Sequence, residues 1–361
     1  MGDYSGFHHT LANQLRIKGH QCTVAGDGSR CMDTDRDIDI KRRPGLFNSF
    51  RYLFDIWRLV GRIRGYDRVQ LINPMFLSLK PGKLKFFFDK LKSQNGSVGL
   101  SLCGNDSYVV RDLTDNSPFR YSEFGVGDAP TAYALSDART IDIWKSRWLT
   151  DYCRHIYDNV DSAVSALYEY HVLAAPYFEG RPLVYTGIGV DTRSIAFEGL
   201  RRANGCLRIL VGIKSEMTAF KGTDRLLAAA LKAQELNSGK CEVTVARDLP
   251  LSEYLQCLRE ADVVVDQLYS YTPATNALQA MAMGKIVVSG AEPEFYDFIG
   301  EGSLRPIVNA VPDDRELVGL FGRIINMSDA ELDAMSRQSR QFVEKHNSAE
   351  VVADRFLESF N

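Results

Sequence analysis

The stretch YSYTPATNALQAMAMGKIVVSG, Tyr269 to Gly290, decides the fold. It opens with a cluster of hydroxyl side chains, runs into small residues, stops at Gly284 and turns into a β-branched run. VVVDQLY (263–269) reads as the preceding strand and Thr272 to Met283 as the helix. Thr272 suits the N-cap, and Pro273 suits the first helical position, where a missing N–H costs nothing. Gly284 falls where a left-handed C-terminal cap is wanted. The free N–H groups around Ala274 to Asn276 then face the carboxyl end of the strand and, with the helix dipole, form a ready anion site. Ser270, Tyr271, Thr272, Thr275 and Asn276 add neutral donors there with no competing negative charge. The Ala and Met residues behind them let the helix lie close on the sheet. An ordinary capped strand–helix junction would look similar without binding anything, so a second feature has to decide. AFKGTDRLL (219–227) supplies it. It places Lys221 after the strand LRILVGIK (207–214), exposed at the strand's end and before another capped helix, with Lys214 as a second cation. Lysines beside a helix N-terminus suit a diphosphate.

Outward from this segment, short β-rich runs alternate with helical ones. QCTVAG (21–26), RVQLINP (68–74), SVGLSLCG (97–104) and SAVSALY (162–168) precede it, CEVTVAR (241–247) lies between the two sites, and PIVNAV (306–311) follows. Runs that are continuously apolar, rather than alternating, indicate parallel strands buried on both faces. Repeated β–α alternation means doubly wound sheets, with ligands at the carboxyl ends of strands. A polar stretch, TRSIAFEGLRRANG (192–205), separates two such series. The tail from Ser328 reads as helices closing near His346-Asn347 and reopening at Ser348, long enough to cross back onto the first series. At the start, GDYSGFHHTLANQL looks like a strand-end loop feeding a helix, yet only Met1 precedes it. Either an upstream segment is missing, which we favour, or the domain lacks its first strand.

A chain of 361 residues suggests two domains of ordinary size, and 45% hydrophobic with 25% charged residues is the composition of a globular protein. A net charge of −3 gives no reason to expect nucleic acid. Seven scattered cysteines with no C-x-x-C pair read as reduced thiols rather than a disulfide frame or zinc site, and point to the cytoplasm.

Four motifs in order resemble those of the retaining nucleotide-sugar glycosyltransferases of the GT-B fold, family 4 type, over nearly the whole chain. KGTDRLL is similar to that family's K-G-x-D-x-L-L, and ADVVVDQLYSYTPATNALQAMAMGK to its strand, phosphate loop and E-A-M-A-x-G helix. TGIGVDT (186–192) resembles its N-G-V-D-T hinge signature, and GFHHTLANQLRIKGHQCTVAG its first helix and second strand. The resemblance implies an α/β chain of two facing Rossmann-like doubly wound parallel-sheet domains with a central cleft. Residues 1–195 would bind the acceptor, 205–345 the nucleotide-sugar donor, and the helix in 346–361 would return to the first domain. It implies that Lys221, with Lys214 in place of an Arg, steadies the leaving diphosphate, and that Ser270 to Asn276 line the donor site. The family's two glutamates fall on Tyr271 and Gln279. Gln279 can still accept one ribose hydrogen bond through its carbonyl oxygen, whereas Tyr271 cannot replace a carboxylate. On the acceptor side the resemblance puts a catalytic His or Asp near SLCGNDS (101–107), where Asp106 is the candidate beside Asn105. Ser5, Gly6, His8 and His9 open the first helix.

The implied reaction is glycosyl transfer with retention, from a nucleotide-diphosphate sugar to a glycan or lipid-linked acceptor, with neither metal nor cofactor. The alternatives are a catalytically weak GT-B protein that binds a nucleotide-sugar or a partner transferase, and a sugar-nucleotide epimerase of the same fold. Two further features stand outside this reading. DTDRDID (33–39) has a metal-binding D-x-D spacing but reads as a solvated loop. KRRPGLFNSFRYLFDIWRLVGRIR (41–64) is basic with interleaved aromatics. It reads as a helix with a core face and a solvated basic face, or as a peripheral contact with an anionic membrane at the inner face.

Overall fold

The computed structural model describes residues 1–28, 33–202 and 205–360; Cys31 and two residues of the polar stretch lie outside them. The chain divides into two compact units. One holds residues 1–115, 139–189 and 349–361, the other 116–138 and 190–348. Residues 116–138 therefore depart from the sequence-based division at 195. They lie in the unit that carries the C-terminal sheet.

In the first unit the strands Arg68–Leu71, Ser97–Leu102, Ser162–Ser165 and Leu183–Tyr185 form a parallel sheet in that order. Ala25–Gly26 pairs in parallel with Ile38–Asp39. Residues 1 and 2 lie between the two groups, since Gly2 N–H donates to Ala25 O (2.8 Å) and Ile72 N–H to Met1 O (3.0 Å). Spatially this gives the doubly wound order 3-2-1-4-5-6 with a seventh strand, Leu183–Tyr185, beyond it, residues 1 and 2 standing in the place of the first strand. The helix Ala349–Glu358 packs on Phe7–Ile17, with Lys18 paired to Asp354 at 2.8 Å and Arg68 donating to Ser359 O at 3.2 Å.

The second unit has a parallel sheet in the order Cys241–Arg247, Leu207–Ile213, Val263–Val265, Ile286–Ser289, Val308–Asn309. Val263–Val265 and Ile286–Ser289 are buried on both faces, which explains their unbroken apolar runs. The helix Thr223–Leu236 buries Leu226, Ala229, Ala230 and Ala233, one 3.6-period stripe, and packs against Asp314–Ile325. Leu317, Leu320, Phe321 and Ile324 face it from the second helix, each contributing about 1.5–3 kcal/mol by leaving water. A capping box at Ser328 and Glu331 starts the helix Asp329–His346. No described helix is long and apolar enough to cross a membrane.

Candidate functional site

The order of the second sheet reverses direction between Leu207–Ile213 and Val263–Val265, and ligands of open α/β sheets bind outside the carboxyl ends of strands at such a switch point. Four side chains meet there. Lys221 Nζ lies 3.2 Å from Asp266 Oδ1, and the Asn276 amide donates to that oxygen at 3.3 Å. Tyr254 OH donates to Asn276 Oδ1 at 2.7 Å. Asp266 follows its strand directly and is buried; its Oδ2 has no hydrogen-bond partner among the described residues. Burial raises the Tyr254 pKa, and the Asp266 charge adds to the shift, so the phenol stays protonated as a donor. The sequence expectation of neutral donors without a competing negative charge is therefore corrected: Asp266 brings one. Lys221 is also not the free strand-end cation expected, because it ends the short helix Thr218–Lys221 and is held by this carboxylate.

Backbone geometry explains how Lys221 reaches the site. Gly222 has φ +65°, and a Cβ there would stand 2.8 Å from the Tyr269 ring and 2.9 Å from Leu268 Cβ. Only glycine lets the Lys221–Gly222 turn lie against residues 268 and 269, where Leu268 N–H donates to Lys221 O at 2.8 Å. Lys214 is exposed, with its amine 3.4 Å from Leu249 O, and does not join the network.

The helix begins later than its sequence suggests. It spans Thr275–Ala282, and Ala274, which has no capping side chain, holds the N-cap position. Thr272 is no cap. Ser270 Oγ donates to Thr272 O at 2.7 Å and accepts from Thr272 N–H at 3.2 Å, so a side-chain turn holds residues 270–272 outside the helix. Gly284, at φ +81°, ends the helix as expected. The first-turn N–H groups, with Thr275 and Asn276, remain at the sheet edge unspent by a cap. Gln279 is half-buried one turn on, and its amide has no hydrogen bond among the described residues.

Tyr271 is enclosed. Its hydroxyl accepts the Arg120 N–H at 2.7 Å, Phe119 and Tyr121 rings stand 4.9 Å away, and the Arg120 guanidinium lies over its ring. Burial raises its pKa. Glu292 is buried beside it: its N–H donates to Tyr271 O (3.2 Å), and its carboxylate accepts from Arg120 Nη2 (2.6 Å) and from Tyr121 OH. Arg120 also pairs with Glu294, holding that carboxyl below its ordinary pKa. Sequence reasoning missed Asp266, Tyr254, Arg120 and Glu292. Only Asp266, the single charge directly after a buried β run, carried a local signal.

The acceptor-side candidates lie in the other unit. Ser5 (φ +51°) and Gly6 (φ +77°) form a left-handed turn into Phe7–Ile17, and a Cβ on Gly104 would stand 3.5 Å from the Tyr4 ring. Asn105 Oδ1 is buried without a partner among the described residues. Asp106 is buried in a capping position: Oδ1 accepts from Tyr108 and Val109 N–H (2.8 and 2.9 Å) and Oδ2 from Tyr157 OH (2.7 Å). His8 is buried, with Nδ1 2.7 Å from Gly2 O and Nε2 2.9 Å from Ser101 Oγ. Burial and the nearby N-terminal ammonium lower its pKa well below 6.5, keeping it neutral. His9 is spent on Asp35 O and Asn13. In the D-x-D stretch, Asp33 and Asp39 pair with Arg36, and Asp37 with Arg16.

No protein-family model and no curated protein matches the chain. Solved structures do. The chain is similar to a sucrose-phosphate synthase of Thermosynechococcus elongatus, with a TM-score of 0.60 at 14% identity, over 98% of this chain and 92% of that one. It is similar to Anabaena HepE in complex with UDP and glucose, with a TM-score of 0.53 at 11% identity, over 99% and 98%. The chain has the GT-B glycosyltransferase fold. A third similar structure is the S. aureus TarM mutant with UDP, fondaparinux and α-GlcNAc-glycerol bound, with a TM-score of 0.57 at 12% identity and 86% of this chain covered. The chain spans about three fifths of TarM, 59% of its length. In this GT-B chain the switch-point network belongs to the unit formed by residues 116–138 and 190–348.

Proposed function

We propose that the chain is a glycosyltransferase of the family 4 type. It would bind the diphosphate of a nucleotide-sugar at the switch point and transfer the sugar, with retention, to a glycan or lipid-linked acceptor. The observation that carries this is the convergence of Lys221, Asn276 and an uncapped helix N-terminus outside the strands 207–213 and 263–265. Preorganised donors there stabilise charge developing on the departing diphosphate, so catalysis is chiefly electrostatic. Gln279 offers its carbonyl oxygen to the ribose. Ser5, Gly6 and Asn105 are the acceptor-side candidates. No metal or cofactor enters this scheme.

Two observations favour a second reading, a catalytically weak GT-B protein that binds a nucleotide-sugar or a partner transferase. A buried tyrosine stands where the family has a glutamate, and Asp266 already occupies Lys221. Thermal shift with uridine, guanosine and adenosine diphosphate-sugars, followed by hydrolysis and transfer assays, separates the two. Stabilisation with turnover supports the transferase, and stabilisation without turnover the weak binder. No stabilisation by any of the three counts against nucleotide-sugar binding in both readings and leaves only the binding of a partner transferase.

A further inference from the structure

We propose that the helix Leu46–Arg62, together with the first turns of Pro81–Gln94, docks the protein peripherally on the interface of an anionic phospholipid bilayer. This inference stands independently of the nucleotide-sugar site. The helix has two apolar faces. Tyr52, Ile56 and Val60 form the first and are buried in the unit's core. Leu46, Phe47, Phe50, Phe54 and Trp57 form the second, and their spacing places them within about 100° of arc on an α-helix. That second face meets solvent: Leu46 is 84% exposed, Phe47 80% and Phe50 75%. Phe86 of the neighbouring helix, 54% exposed, extends it. Between the two helices Phe50, Phe54, Trp57, Lys83 and Phe86 line an open groove of about 470 Å³. An aliphatic and aromatic face this continuous is uncommon on a monomer without an interaction role.

Charge identifies the occupant. Residues 41–64 carry seven basic side chains and one acidic, and residues 80–92 five lysines and one aspartate, in a chain whose net charge is −3. Arg58 lies over the Phe54 ring at 5.7 Å and Lys90 over Trp57 at 5.6 Å, so cations border the aromatics directly. Arg43, Lys80 and Lys83 enter no salt bridge among the described residues and are available to an external anion. Leu, Phe and Trp on one face with Arg and Lys along its edges is the pattern of a helix lying in a headgroup layer. A second copy is disfavoured as occupant, because a two-fold contact would set each basic border against its own counterpart.

The test is co-sedimentation with phosphatidylcholine vesicles and with the same vesicles containing phosphatidylglycerol. The protein should partition onto the anionic vesicles at low ionic strength and be released as salt is raised. Arg43→Ser and Lys83→Ser should each weaken partitioning about fivefold, the equivalent of about 1 kcal/mol per basic residue near the surface. Phe47→Ser with Phe50→Ser should weaken it at least about tenfold while leaving the melting temperature unchanged, because both rings are outside the core. Three results would each overturn the proposal: no binding to anionic vesicles, binding indifferent to the paired Phe substitutions, or a concentration-dependent dimer in sedimentation velocity that those substitutions abolish.

Discussion

The Lys221–Asp266 pair makes the sharpest test of the donor site. A diphosphate oxygen in hydrogen-bond reach of Lys221 Nζ would sit roughly 6 Å from the Asp266 carboxylate, whose Oδ1 is 3.2 Å from that amine. At an effective dielectric of about 20, two unit charges about 6 Å apart repel by about 2.8 kcal/mol. Asp266→Asn removes that repulsion and releases Lys221, so binding of a nucleoside diphosphate should tighten by about 1–2.5 kcal/mol, roughly fivefold to seventyfold. Lys221→Ala should weaken it by about 1.5–3 kcal/mol, the worth of a hydrogen bond to a charged group. The sequence suggested that this second change would leave stability alone, and the structure predicts otherwise. Asp266 would keep one amide contact and lose its cation, and with Lys221 partly solvated the loss should be about 1–3 kcal/mol. Combining both changes should restore most of that stability. Titration calorimetry with uridine, guanosine and adenosine diphosphates gives the affinities, and urea unfolding gives the stabilities. If neither single change alters affinity for any diphosphate that binds, the anion lies elsewhere and the switch-point assignment is wrong.

Gln279→Glu should tighten nucleotide-sugar binding by up to about 1.5 kcal/mol if the side chain meets a ribose hydroxyl, because a carboxylate is the stronger acceptor; a destabilised variant with no nucleotide response in thermal shift would count against that contact. Gly290→Ala would place a Cβ 1.6 Å from Ser270 O, so the 270–272 turn must move, with a stability loss of about 1–3 kcal/mol or more in urea unfolding and a weaker nucleotide response. Glu301 accepts from Lys345, His346 and the Leu304 N–H, and these contacts hold its carboxyl well below 4.5. Its contribution to stability is therefore fully present above about pH 4.5 and is lost as pH falls from there toward the folded-state value. Glu301→Gln should lower stability at pH 7 and shrink the difference between unfolding midpoints at pH 7 and pH 4; an unchanged difference would mean that other carboxylates govern acid unfolding.

Strands inside the second sheet were legible because nothing in them competes with burial, and LRILVGIK forms one as far as Ile213. CEVTVAR forms strand Cys241–Arg247 over its full length at the sheet's edge, where only Cys241 and Ala246 are buried and the run Val243 to Val245 supplies the β-branched signal. Reading failed where a side chain competes with the ladder or the helix for backbone groups. VVVDQLY ends as a strand at Val265 because Asp266 turns into the site, and Ser270 holds Thr272 out of the helix. Leu183–Tyr185 went unseen because it is short, half-buried and preceded by Pro182. The aromatic helix at 46–62 was identified as amphipathic, but a sequence period cannot say which of two apolar faces finds a core.

The hardest part to read was the enclosure of Tyr271, and the reason is distance along the chain. Arg120 and Tyr121 meet Glu292 across 172 and 171 residues, and nothing local in the 116–138 segment marks it as part of the unit that holds residues 190–348. The same enclosure bears on position 271, where the sequence resemblance would put a glutamate. Tyr271 is packed among three aromatic and cationic neighbours, with its hydroxyl committed to a backbone N–H. A carboxylate at that position would meet Glu292, the nearest buried acid, without a second cation, and would face both desolvation and like-charge repulsion. Tyrosine at 271 and the Arg120–Glu292 pair are thus mutually dependent. A donor sugar at this end of the sheet would find Tyr271 and Glu292 both buried, where the sequence resemblance implies a carboxylate beside the transferred sugar.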